Sequence, residues 1–266
     1  MTARNVLLSL ALIALPGAAQ AGDPSASDWA PSAKSQARLI ADGAGQAGFQ
    51  VKLAPGAITY WRDPGESGVP PTFDFAGSVN LARAEVRFPA PRRIAEPDGS
   101  EAFGYSEGVV FPILVQAKNP AQPVTLALNA NYAVCEKICL PARAALSLTL
   151  RAGAPTPFAA DIEDARAIVP RHVDAAAVGV EITALDARNW TLCLPASTGP
   201  ARDLFVEPPA GWWLEARAQT VAGGHDCFAL ALREAPADAA FPVAVRATIT
   251  GGAGALETDL KLAPKS

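Results

Sequence analysis

Alternate positions between Val124 and Val134 are apolar: Val124, Leu126, Leu128, Ala130, Tyr132 and Val134 share one parity, and Ala144, Leu146, Leu148 and Leu150 resume it. Side chains along a strand point to opposite faces in turn, so this period-2 run dictates an extended segment with one buried face. Two such runs facing each other make a hairpin-like element. Cys135 and Cys139 sit at the connection, in Tyr132-Ala-Val-Cys-Glu-Lys-Ile-Cys-Leu-Pro141. On a straight strand, residues four apart are separated by about 13 Å. A disulfide needs Cα atoms about 4.4–6.8 Å apart. The sulfurs can bond only where the backbone turns back between them, and a hairpin tip delivers that turn. A ring this small tends to be strained, and strained or exposed disulfides are the exchangeable ones. The pair reads as working thiol chemistry first and as a structural staple second.

The start of the chain implies export to a compartment that permits disulfides. Arg4 supplies a positive n-region, residues 6–15 an apolar stretch, and Pro16-Gly17 a break. Ala19-Gln20-Ala21 then fits the small-x-small cleavage rule, so residues 1–21 read as a signal peptide and the mature chain begins near Gly22. The apolar stretch is too short to span a bilayer, and no later one approaches the roughly 20 residues required. The expected product is soluble and periplasmic or secreted, with no membrane span in the mature chain. A net charge of −4 with scattered basic residues excludes a nucleic-acid footprint.

Half of the chain is apolar, which supports a real core, and 24 prolines and 21 glycines punctuate short alternating runs. The composition is all-β. Residues 37–40, 48–53 and 58–61 read as the first strands, and Arg62-Asp-Pro-Gly65 as a turn. Residues 69–73 must be extended around two prolines. Residues 81–89 alternate weakly and 109–117 strongly. Thr156-Pro157 looks like an N-cap with proline at the first helical position. Phe158, Ile162, Ala165, Ile168 and Val169 then follow a helical spacing that Pro170 stops. Strands resume at 178–182, 190–194, 204–206, 212–218, 227–232, 241–249 and 256–262, a count that fits an immunoglobulin-like sandwich. The expected organisation is two immunoglobulin-like β-sandwich domains, over 22–153 and 173–266, joined by a short helix within 154–172.

Thr59-Tyr-Trp-Arg-Asp-Pro-Gly-Glu-Ser-Gly-Val-Pro-Pro-Thr-Phe73, Gly104-Tyr105, Val110-Phe-Pro-Ile113 and the cysteine run occur in that order. Over about residues 30–150 they resemble the periplasmic N-terminal region of the DsbD/ScsB thiol reductases, with a looser likeness beyond. The resemblance implies an immunoglobulin-like sandwich whose pair, Cys135 and Cys139, receives electrons from a thioredoxin-like protein or membrane thiol reductase. It passes them to periplasmic client proteins that contain disulfides. It further implies that Cys139 forms the mixed disulfides and that no cofactor takes part. The family shields its cysteines with an aromatic cap loop, and Glu101-Ala-Phe-Gly-Tyr-Ser-Glu107 stands at the matching place, which nominates Phe103 and, second, Tyr105. Two departures stand out. Three residues separate these cysteines, where the best-known member has five. The family's membrane and C-terminal thioredoxin domains also lack counterparts here, so a separate donor is expected.

Cys193 and Cys227, in two expected strands, read first as a structural cross-strand disulfide and second as another redox pair. Their parity opposes that of Trp190, Leu192, Leu194, Phe228 and Leu230. Four cysteines with His172 and His225 offer soft ligands for copper(I) or zinc, and a copper-handling or assembly module without electron traffic is the alternative function. Paired C-x2-C knuckles are lacking and Met1 is the only methionine, so no residue is assigned to a metal. His225-Asp226-Cys227 is no catalytic set, because neighbours on a strand face opposite ways. Trp61, Trp212 and Trp213 read as packing, and Glu163-Asp164 as the polar face of the helix.

Overall fold

Period-2 alternation builds nearly everything in this chain. The computed structural model describes residues 23–66, 68–96, 99–153, 155–219 and 224–265, and the signal peptide read over 1–21 lies outside them. The first part forms β1 (Ala30–Pro31), β2 (Ser35–Ala41), β3 (Ala47–Leu53), β4 (Ile58–Gly65), β5 (Thr72–Asp74) and β6 (Leu81–Val86). It continues with β7 (Arg92–Ala95), β8 (Glu101–Tyr105), β9 (Val109–Ala117), β10 (Val124–Cys135) and β11 (Cys139–Leu150). One sheet runs β1-β2-β3-β9-β6; the facing one runs β11-β10-β4-β8-β7, with β5 also on β10. Leu39, Phe49, Phe111, Leu126, Leu128 and Leu146 interlock between them, each from the apolar parity of its strand.

The second part follows α1 (Ala159–Ala167) and consists of β12 (Arg171–His172), β13 (Glu181–Ala184), β14 (Asn189–Pro195), β15 (Asp203–Glu207) and β16 (Trp213–Gln219). It ends with β17 (His225–Glu234), β18 (Val243–Thr250) and β19 (Leu256–Leu262). Its two sheets, β12-β19-β18-β15 and β13-β14-β17-β16, enclose a separate core that includes Trp190, Leu192, Phe228, Leu230 and Ile249. The fold is all-β and immunoglobulin-like, as the alternation required, and all seven strands expected in this part are present.

Three local expectations need correction. Arg62-Asp-Pro-Gly65 is not a turn; it prolongs β4 past an irregular register, where a proline without a ladder bond is tolerated and Gly65 takes φ +80°. Glu101–Tyr105 is a strand rather than part of a loop. Gly104 makes that possible, since a Cβ there would fall 2.1 Å from the carbonyl oxygen of Thr59 on β4. The helix starts at Ala159, after the Phe158 N–H donates to the Thr156 hydroxyl at 3.2 Å, so Thr156 closes a local turn ahead of it. Nor is α1 a free tether. Ile162 and Ala165 are buried against the first sandwich, where Gly48 leaves room for Ile162.

Strand β15 stitches the sandwiches together through the same alternation. Leu204 and Val206 enter the second core, while Phe205 points into the first, 5.9 Å from Trp61 and 4.9 Å from Phe103 between ring centres. Charges surround this apolar plug. Arg62 binds Glu207 and Glu257, Arg93 binds Asp203 and Glu101, and Arg217 reaches Glu101 from the other side.

Asp63 sits at this junction and is pushed up to about 6 from an ordinary 3.8, chiefly by burial. An acid with a raised folded pKa opposes folding once ionised, so its cost is absent below pH 3.8 and fully present above about 6. Asp63→Asn keeps an acceptor for the Gly65 N–H. The variant is expected to match the parent near pH 3.5 and to exceed its stability at pH 7.5 by on the order of 3 kcal/mol, at about 1.4 kcal/mol per unit. Urea unfolding at both pH values measures this, and equal stabilities at pH 7.5 would contradict it.

Candidate functional site

The β10–β11 ladder is continuous from Val124 opposite Leu150 to Cys135 opposite Cys139, so the cysteines are the closing pair of a hairpin with Glu136, Lys137 and Ile138 at its tip. They form a disulfide with Cα atoms 4.1 Å apart. Tyr132 and Val134 complete the inward parity of β10, which turns Ala133 and Cys135 to the other side of the sheet. There β4 places Ile58 beside Cys135 and Thr59 beside Val134. The Thr59 hydroxyl donates to the Ala133 carbonyl at 2.8 Å and pins that register.

Tyr60, two residues beyond Ile58, faces the same way as Ile58. Its hydroxyl donates to Cys135 Sγ at 2.7 Å and lies 3.3 Å from Cys139 Sγ. Ile58, Tyr60, Ala102, Ala133 and Cys135 form a small second core on this face. Gly68 closes over the ring, since a Cβ there would stand 2.5 Å from Tyr60 Cδ1. Burial, then the charge of Glu96, raises the Tyr60 pKa, so the phenol stays protonated and remains a donor at neutral pH.

The two sulfurs differ in access. Cys135 is 3% exposed, whereas Cys139 is an exposed residue beside the exposed side chain of Ile138. A cleft of about 410 Å³ opens against Cys139, lined by Val69, Pro70, Tyr132, Leu140, Pro141 and Arg143 among others. Glu136 is drawn to Lys34 at 2.8 Å, an interaction that lowers its pKa and occupies its charge at the far side of the tip. Cys139 is an exposed residue at the mouth of the cleft, and Cys135 lies in an apolar pocket against a hydroxyl donor. That asymmetry suits exchange, in which one sulfur is attacked and the other leaves.

The aromatic residues nominated as a cap stand elsewhere. Phe103 packs on Phe205 beneath Arg93, and Tyr105 is buried in the first core with its hydroxyl donating to the Pro89 carbonyl at 2.8 Å. The reason is parity. On β8, Ala102 joins the small core that holds Cys135, whereas Phe103 and Tyr105 pack with the large core or its margin. Tyr60 is the aromatic residue whose hydroxyl meets both sulfurs. It was legible only as part of the Thr59-Tyr-Trp motif, because its contact depends on how β4 pairs with β10.

Cys193 and Cys227 are directly opposed on β14 and β17 and form the second disulfide. Cys227 is buried and Cys193 half-buried. His172 is remote from either pair in the ladder, facing Glu257 and Asp259 at 3.9 Å. Among the described residues, no group of three or more His, Cys, Asp or Glu side chains is placed to hold a metal ion.

An immunoglobulin-like sandwich with an accessible hairpin-tip disulfide, one sulfur of which rests against a phenol, has the makings of a thiol:disulfide interchange protein. Residues 28–151, which make up the first sandwich, match the family model described as thiol:disulfide interchange protein DsbD, N-terminal. The fold also resembles the crystal structure of the N-terminal periplasmic domain of ScsB from Proteus mirabilis. The TM-score is 0.71 at 23% identity, covering 91% of this chain and 99% of that one, so the likeness runs through both sandwiches. No curated protein matches the chain. Among the described residues, no helix is long and apolar enough to cross a membrane.

Proposed function

We propose that the first sandwich relays reducing equivalents in the periplasm, taking them from a thioredoxin-like donor and passing them to client protein disulfides. The single observation that carries this reading is the unequal placement of the sulfurs, with Cys139 open and Cys135 buried against the Tyr60 hydroxyl. A donor thiolate attacks Cys139 Sγ. The Cys135–Cys139 bond breaks and its electron pair departs on Cys135 sulfur, which Tyr60 stabilises by hydrogen bonding. The donor's second thiolate then attacks its own sulfur in the mixed disulfide and releases Cys139 as a thiolate. Two electrons have moved, and the donor leaves oxidised. Client reduction runs the same steps in reverse, with Cys139 attacking and Cys135 resolving.

The apolar cleft beside Cys139 is where the partner's chain would lie during exchange. The Cys193–Cys227 bond is read as a staple between β14 and β17, since Cys227 is buried and, among the described residues, no phenol hydroxyl bonds to either sulfur. Trapping in periplasm tests the relay. Cys135→Ala is expected to accumulate mixed disulfides through Cys139, resolved on non-reducing gels and identified by mass spectrometry. Cys139→Ala is expected to accumulate none, its remaining sulfur being enclosed. If neither variant gave adducts, the relay would be wrong; adducts confined to Cys139→Ala would reverse the roles.

A further inference from the structure

A second cavity lies away from the disulfide, between the two sandwiches. It measures about 390 Å³. Ligand sites run from about 300 to 1,000 Å³ and favour domain interfaces. Phe103, Trp212 and Trp213 line it together with Asp63, Glu66 and Glu234. Trp213 is 37% exposed, unusual for a ring of that size, and it stands opposite Glu234 across the β16–β17 ladder. The sequence reading of Trp212 and Trp213 as packing holds for Trp212, which meets Phe241 at 5.4 Å, while Trp213 is left partly exposed at the cavity.

The charges around this cavity are unequally satisfied. Glu101 already holds Arg93 and Arg217, and Glu215 holds Arg217 and Arg233. Arg93, the cation of the lining, is committed to Asp203 and Glu101. Asp63, Glu66 and Glu234 have no ion-pair partner among the described residues. An occupant must therefore bring positive charge, since an anion would meet these carboxylates and a neutral apolar group would leave Asp63 desolvated beside it. It must also offer an aliphatic stem to lie on indole and phenyl faces, where a cation gains further from the ring quadrupole. A lysine or arginine side chain meets both demands.

We propose that this cleft is a docking site for a basic side chain, lysine or arginine, presented by a partner polypeptide. The site is independent of the sulfur pair and of the reading given to it. Its charged head would lie among Asp63, Glu66 and Glu234, and its methylene stem along Trp213.

Calorimetry and tryptophan fluorescence on the intact protein test this with N-α-acetyl-lysine methylamide, the arginine counterpart, the norleucine counterpart and cadaverine. The two basic amides are expected to bind saturably and at least about tenfold more tightly than the norleucine amide, as a charge-assisted bond requires. Asp63→Asn, expected to be the more stable protein at neutral pH, should weaken that binding about fivefold or more, within the range of one charged contact. Glu234→Gln, at an exposed position, should weaken it in the same direction. Three results would overturn the proposal: equal binding of the norleucine amide, unchanged affinity in both variants, or no saturable binding by any probe. Cadaverine binding more tightly than either amide would assign the cleft to free diamines and overturn the choice of a polypeptide.

Discussion

Tyr60→Phe is expected to slow reduction of the Cys135–Cys139 bond by about 10- to 100-fold, the equivalent of the roughly 1.5–3 kcal/mol that a hydrogen bond to a charged group contributes. When a thiolate attacks Cys139, negative charge gathers on Cys135, which is 3% exposed and has little water to stabilise it. The Tyr60 hydroxyl at 2.7 Å is the donor aimed at that sulfur. Without it the leaving thiol becomes a worse leaving group, and exchange rates follow leaving-group pKa. Phenylalanine keeps the ring against Ile58, Ala102 and Ala133, so packing changes little. The thiolate of Cys135 in the reduced variant should also form less readily, having lost its hydrogen-bond donor. Stopped-flow reduction by dithiothreitol measures the rate, and thiolate absorbance measures the titration. A shielding role alone predicts no change in either, because the phenyl ring shields equally well. Unchanged values would refute the leaving-group role.

Arg62→Ala is expected to lower global stability by about 2–3 kcal/mol. Arg62 donates to Glu207 at 2.9 and 2.8 Å and to Glu257 at 2.7 Å, and its guanidinium lies 4.5 Å over the Trp61 ring. The three side chains are 23%, 20% and 13% exposed, so the cluster is only partly solvated. Breaking a buried pair costs about 3–5 kcal/mol because a charge is stranded, and the residual solvent access trims that figure. Here two carboxylates would be stranded facing each other. Adding Glu207→Gln and Glu257→Gln to Arg62→Ala should therefore restore part of the loss, since each removes a stranded charge while keeping an acceptor oxygen. Urea midpoints of the three proteins decide the matter. A loss under about 0.5 kcal/mol would show the cluster to be solvated like an ordinary surface pair.

Both predictions fall on one strand. β4 carries Tyr60 to the sulfurs, Trp61 to Phe205, Arg62 to the second sandwich and Asp63 to the interdomain cleft in four consecutive residues. Alternation alone explains the division of labour. Tyr60 faces one side of its sheet and Trp61 the other, while past an irregular register the strand's far end, still paired with β8 at Gly65, brings Arg62 against the second sandwich.

The elements read from periodicity were those whose evidence is local. Residues 124–134 and 144–150 carry their own buried faces, so β10, β11 and the turn bringing Cys135 onto Cys139 follow from the residues themselves, as do seven of the eight strands of the second sandwich. Composition likewise sufficed for the all-β class. Errors arose where a short signal was outweighed by distant partners. Pro64-Gly65 has the chemistry of a turn, yet neighbouring strands hold it extended. The Glu101–Tyr105 run has the look of a loop, yet Gly104 lets it lie against the Thr59 carbonyl. What only tertiary structure decided was register between strands far apart in sequence. Shifting a pairing by one residue exchanges the faces of every side chain in the strand. For that reason the chain could display Phe103, Tyr105 and Tyr60 without revealing which of the three reaches the sulfur, and Phe205 without revealing that it belongs to the other sandwich's core.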